Sequence, residues 1–124
     1  MSLHFIHHIV LVVSDIKQTA EFYRKVLGKP EEKGRYSIMY HIGKTKLFLT
    51  LPYGKLSKKD RFDPNRIGLE HLAFGVNSLG ELKKIEKHLD EQEIRHSGIH
   101  IDKHSRKEKI WLDDPDGIRM EFYL

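Results

Sequence analysis

A chain that repeats its own pattern is constrained to fold as two like units, and this one repeats once. Sliding the sequence along itself until His71 lies on His8 sets His8-Ile9-Val10-Leu11-Val12-Val13 against His71-Leu72-Ala73-Phe74-Gly75-Val76. The same offset pairs Ile16 with Leu79, Phe22 with Ile85 and Val26 with Leu89. Identity is slight, yet apolar positions coincide and histidine falls on histidine. That is the mark of a duplicated supersecondary unit.

Each copy reads locally as strand, helix, strands. In Phe5–Val13, Ile6, Ile9, Val10, Leu11, Val12 and Val13 predict a strand buried on both faces. Ser14-Asp15 supplies a helix N-cap, with Gln18 in capping-box position, and Ile16, Thr19, Ala20, Tyr23, Val26 and Leu27 recur at helical spacing. Gly28 and Pro30 stop that helix. After a polar turn over Glu31–Gly34, Arg35–Ile42 and Lys46–Leu51 predict two strands joined through Gly43-Lys44. The second copy offers a strand at Leu69–Val76, a helix opened by Ser78 and Glu81, and strands at Ile94–Ile101, Lys109–Leu112 and Ile118–Leu124. Asp114-Pro115-Asp116-Gly117 forms a tight turn before the last strand. The expected architecture is one α+β domain of two βαβββ modules, about 4–54 and 67–124, with a charged, Pro-containing linker over about 55–66.

Composition removes several function classes. The 124 residues suit one small domain, and no apolar run approaches the roughly 18 residues of a spanning helix. There is no cysteine, so disulfides, cysteine zinc fingers, iron–sulfur clusters and thiol nucleophiles are excluded. The net charge of +4 is mild, and no aromatic-interleaved basic motif argues for nucleic acid. No basic-then-apolar leader opens the chain, so the expected setting is cytoplasmic, away from membranes.

Nine histidines need an account. None has H-E-x-x-H spacing, so a helix-borne zinc site is not written here. Side chains two apart on a strand share a face, which groups His8 with Val10 and Val12, and His71 with the small Ala73 and Gly75. On the last strand Arg119, Glu121 and Tyr123 share a face. Two imidazoles and one carboxylate make a facial set of three ligands that leaves open positions on a divalent ion. The residues alone leave a bland alternative open, in which the histidines sit on a rim and Glu121 is solvated.

Four segments together resemble the vicinal oxygen chelate superfamily of glyoxalase I, extradiol dioxygenases, fosfomycin-resistance enzymes and bleomycin-resistance proteins. They are the His8–Asp15 strand end, Phe22-Tyr23-Arg24-Lys25-Val26-Leu27-Gly28, the His71–Val76 strand, and Asp114-Pro115-Asp116-Gly117-Ile118-Arg119-Met120-Glu121-Phe122. The resemblance covers nearly the whole chain. It implies paired modules forming a U-shaped open barrel around one divalent ion (Fe, Mn, Ni, Co or Zn), held by His8, His71 and Glu121. It also implies a homodimer and a small-molecule substrate that binds through adjacent oxygens. Glyoxalase I adds a glutamate in a Leu-Glu-Leu-Thr-like stretch; this chain has Leu47-Phe48-Leu49-Thr50, so Phe48 takes that slot. Fosfomycin thiol transferases carry Thr two residues after the first ligand and a longer tail; here Val10 and the end at Leu124 stand instead. Bleomycin-binding relatives have generally lost the ligands and use an acidic surface. Extradiol dioxygenases share the His, His, Glu set but are mostly longer chains.

The resulting expectation is a metal-dependent enzyme, Fe(II) dioxygenase-like, with a glyoxalase-type lyase or isomerase as the competitor and a metal-free binding protein as the third reading. Glu121 and Tyr123 are the candidate catalytic groups, Tyr123 as a proton donor. Arg119, Phe48, Val10 and Trp111 are candidates for the substrate cleft. Arg119 is expected either to pair with a substrate carboxylate or to bridge Glu121. The Lys55–Lys59 and Arg106–Lys109 charges are expected to be solvated loops.

Overall fold

The computed structural model describes residues 1–124 as two compact units, 1–60 and 61–124. Unit 1 runs β1 (His8–Val12), α1 (Ile16–Leu27), β2 (Glu32–Lys33), β3 (Ser37–Ile42) and β4 (Thr45–Thr50). Unit 2 runs β5 (Leu72–Gly75), α2 (Leu79–Glu91), β6 (His100–Ile101), β7 (Glu108–Asp113) and β8 (Arg119–Tyr123). The sheets have the same order, β1-β4-β3-β2 and β5-β8-β7-β6, with the first strand of each module parallel to the last. The duplicated α+β architecture read from the repeat is present.

Both helices begin as their sequences dictate. The Asp15 carboxylate accepts the Gln18 backbone N–H at 3.0 Å, and the Ser78 hydroxyl accepts that of Glu81 at 3.1 Å. Gly28, at φ 86°, closes α1 by donating to the Arg24 carbonyl, a conformation that favours glycine. The unit 1 core gathers Leu11, Val13, Tyr23, Ile38, Tyr40, Leu47 and Leu49; unit 2 buries Phe74, Leu82, Leu89, Ile110, Leu112, Met120 and Phe122. Burying aliphatic and aromatic side chains at about 1.5–3 kcal/mol each is the main force holding such small units together.

Three expectations need correcting. The first strand is buried on one face only: Leu11 is 6% exposed, whereas Val10 and Val12 are each 51% exposed. Only one face of β1 packs into the unit 1 core, so its apolar residues do not report two-sided burial. The polar turn at Glu31–Gly34 contains the short strand β2, whose Glu32 and Lys33 pair with Met39 and Ile38. Backbone pairing needs no apolar side chain, so periodicity misses it. Conversely, Ile94–Ile101 yields only the two-residue β6. Ahead of it, Ser97 and Ile99 bond to Trp111 and Glu86. No helix is long and apolar enough to cross a membrane.

Tyr40 donates to the Gly28 carbonyl at 2.9 Å, tying β3 to the end of α1. Burial pushes its phenol up to about 12, with nearby Arg24 working the other way. A raised acid keeps its stabilising neutral form below the unfolded value of 10.0 and loses that contribution as pH rises through the folded value. Chemical denaturation followed from pH 9 to 12 should therefore show a loss of stability in the wild type that is smaller in Tyr40→Phe. At neutral pH the variant should lose about 1 kcal/mol.

Candidate functional site

The turn at residues 114–117 sets the register of unit 2. Asp114 is buried, and its Oδ1 accepts the N–H groups of Asp116 and Ile118 at 2.8 and 2.9 Å, while Gly117 takes φ 84°. With the turn fixed, β7 and β8 pair Asp113 with Arg119, Trp111 with Glu121 and Lys109 with Tyr123. On the other side of β8, Ala73 stands opposite Glu121 and Gly75 opposite Tyr123. One sheet face therefore carries Lys109, Trp111, Asp113, Arg119, Glu121 and Tyr123, and the small β5 residues leave that face open beside Glu121.

His71 precedes β5 and reaches this carboxylate. Its Nε2 lies 3.7 Å from Glu121 Oε1, while its Nδ1 lies 2.7 Å from Glu70 Oε1. A carboxylate on Nδ1 selects the tautomer that carries the proton there and leaves the Nε2 lone pair free, the arrangement common among metal-binding histidines. Glu121 is only 6% exposed at its side chain, so its charge must be compensated. The compensating group is Lys109, whose Nζ lies 3.2 and 3.3 Å from the two Glu121 oxygens and 3.1 Å from Asp102 Oδ1.

Lys109 is thus a member of the site rather than a solvated loop residue, a correction to the sequence reading. It sits two positions before Trp111 on the same strand face, which its place in a charged run obscured. Partial burial works against its charge, but hydrogen bonds to Asp102 and Glu121 outweigh it and raise the ammonium above its ordinary value. The Ser105 backbone N–H, followed by Lys109, holds the Asp102 carboxyl well below the usual carboxylate range. Glu70 and Asp102 were equally unmarked in the sequence, since each contributes through a partner brought near by folding.

Arg119 does not bridge Glu121. Its guanidinium takes Asp113 at 2.9 and 3.2 Å and stacks on the Trp111 ring at 3.7 Å. The Tyr123 phenol is hydrogen-bonded to the Ser105 hydroxyl.

Unit 1 carries the counterpart positions. There Val10 pairs with Phe48 as Ala73 pairs with Glu121, so Phe48 occupies in the first module the place that Glu121 holds in the second. His8 meets the Phe48 ring edge-on at 6.1 Å, and its Nδ1 lies 2.9 Å from that of His7, leaving Nε2 unengaged. The structure thus brings His71 and Glu121 together in unit 2 and groups His8, Val10 and Phe48 in unit 1. In neither unit do three histidine or acidic side chains converge as a metal-holding group.

The chain is thus a duplicated βαβββ fold with a histidine at or just before the first strand of each module and one buried carboxylate on the last strand. Residues 5–122 match the Glyoxalase/Bleomycin resistance protein/Dioxygenase superfamily, and the chain belongs to it. The uncharacterized YaeR protein of Escherichia coli is 27% identical over 99% of this chain and 98% of its own. YwkD of Bacillus subtilis, also uncharacterized, is 29% identical over the same shares. A glyoxylase/bleomycin resistance protein/dioxygenase domain from Frankia superposes with a TM-score of 0.79 at 26% identity, covering 99% of this chain and 93% of that one. Lactoylglutathione lyase from Agrobacterium tumefaciens shares the fold, with a TM-score of 0.76 at 19% identity over 99% and 95%.

Because Glu121 is neutralised by Lys109, Lys109→Met should cost about 3 kcal/mol in urea denaturation. Adding Glu121→Gln to that variant should recover most of the loss. A double-mutant cycle with no coupling would show that the carboxylate is solvated instead.

Proposed function

We propose that this protein is a divalent-metal-dependent enzyme acting on a small molecule that binds through adjacent oxygens, with His71, Glu121 and His8 as the metal ligands. The observation that carries the reading is the line Glu70–His71–Glu121, in which Nδ1 is tied at 2.7 Å and Nε2 is turned to a carboxylate 3.7 Å away. Imidazole with carboxylate suits iron, manganese, nickel, cobalt or zinc. His8, with Nε2 unengaged, supplies a third ligand of matching chemistry. The ion, when bound, would polarise the chelating oxygens and lower their pKa.

Within this reading an Fe(II) dioxygenase-like oxidoreductase is favoured by the ligand count. A phenyl ring at Phe48 stands where a fourth carboxylate would complete a glyoxalase-type set. The competing lyase or isomerase chemistry would use the same two-oxygen chelation. The residues of this chain have separable tasks. Glu70 orients His71, Lys109 pairs with the Glu121 carboxylate and aligns it, and the Arg119–Trp111 stack, its guanidinium already paired with Asp113, forms a flat wall suited to an aromatic substrate. Tyr123, its phenol hydrogen-bonded to the Ser105 hydroxyl, is the proton donor of this reading.

Elemental analysis of purified protein, wild type beside His71→Ala, tests the reading. The expected result is about one equivalent of iron per chain in the wild type and almost none in the variant. If neither form retains metal after reconstitution with Fe, Mn, Ni, Co and Zn, the metal-enzyme reading fails. Ligand-dependent stabilisation indifferent to chelators would then favour a binding protein. In the metal-loaded case Glu70→Ala should weaken metal affinity about tenfold or more by freeing the His71 ring, measured by competition with a chelating dye.

A further inference from the structure

Unit 1 contains a cavity of about 440 Å³ between α1 and the segment around β2, formed entirely by residues 16–35. It contains neither His8 nor Phe48. Its floor is apolar, built from Ile16, Ala20 and Pro30. Its rim is cationic, with Lys17 and Arg24 seven residues apart on one face of α1 and Lys33 and Arg35 contributed by β2 and the turn that follows. Glu21 is the one acidic residue in the lining, and its Oε1 already has Lys25 Nζ at 3.7 Å. None of the four rim cations forms a salt bridge; Arg35 lies over the Tyr36 ring instead, at 5.4 Å. Four positive groups against one negative make the site cationic in the absence of any ligand.

We propose that this cavity is a binding site for a small aryl phosphate, its ring on the Ile16–Ala20–Pro30 floor and its dianion among Arg24, Lys33 and the neighbouring cations. The size lies within the roughly 300–1,000 Å³ of ordinary small-molecule sites. Apolar burial and charge both contribute here, and each is testable alone. The apolar floor discriminates against inorganic phosphate, which has no body to bury. The rim discriminates against a neutral aryl alcohol, and guanidinium groups match phosphate oxygens in pairs. A dianion offsets most of the rim's excess charge, which a monoanionic carboxylate does less well. The site stands apart from the metal reading, since none of its residues belongs to the metal-ligand set.

The test is a titration of ¹⁵N-labelled full chain with 1-naphthyl phosphate, followed by amide chemical shifts, with 1-naphthol and inorganic phosphate as parallel probes. The expected result is saturable shifts centred on Ile16–Arg24 and Lys33–Arg35, with each parallel probe binding at least about tenfold more weakly. Lys33→Glu with Arg35→Glu should weaken naphthyl phosphate about tenfold or more by reversing rim charge. Ala20→Trp should abolish binding by filling the floor, its amide spectrum otherwise retained. Three outcomes would overturn the proposal: equal binding of 1-naphthol, shifts that rise linearly without saturation, or shifts centred on β1, β5 or β8. Should Ala20→Trp fail to fold, the charge-reversed variant decides alone.

Discussion

Glu121 is a carboxylate on a sheet strand with almost no access to water, and unit 2 is arranged around that charge. Burying it alone would cost several kcal/mol, more than a unit of this size can spare. The turn anchored by Asp114 sets the β7–β8 register, that register places Lys109 two residues along from the partner of Glu121 and on the same face, and the ammonium meets both carboxylate oxygens. Asp102 then holds the other side of Lys109. His71 completes the surroundings from just ahead of β5, the strand parallel to β8, beside the small Ala73 and Gly75. Stability and candidate chemistry use the same charges, so a divalent ion entering here would share Glu121 with a lysine already in place.

The two modules share a backbone plan but not a chemistry. Equivalent register positions hold Glu121 and Phe48, and equivalent strand starts hold His71 and His8. The duplication offers a potential histidine–carboxylate pair in each module, and this chain keeps the carboxylate in the second alone. In the first, the histidine meets a ring edge, which supplies no charge and accepts no metal. Unit 1 instead carries a cavity in which Lys17 and Arg24 of α1 stand beside Ile16, Ala20 and Pro30. The modules thus present opposite electrostatic characters: a neutralised acidic centre in one and an uncompensated basic cavity in the other.

Much of the fold was legible in the residues. The repeat shows on sliding the sequence along itself, and both helix caps, the stops at Gly28 and Pro30 and the turn at 114–117 are local signals, each settled by neighbours within a few positions. Strand ends were less so. β2 has no apolar signature, and the Ile94–Ile101 run gives way before β6 to bonds from Ser97 to the Trp111 carbonyl and from Ile99 to the Glu86 carboxylate. One-sided burial of β1 was not readable either, because an apolar run does not say whether a second layer will cover it.

What the sequence by itself determined is the duplicated βαβββ plan and the strand faces on which His8, His71, Glu121 and Tyr123 lie, since both follow from period and spacing along the chain. Tertiary structure decided the partners: Glu70 on His71, Lys109 and Asp102 around Glu121, Asp113 rather than Glu121 on Arg119, and Ser105 on Tyr123. The physical reason is range. A strand's alternation is set by its own backbone, whereas a charge finds its counter-charge only after strands pair in register and turns bring distant residues within hydrogen-bond reach.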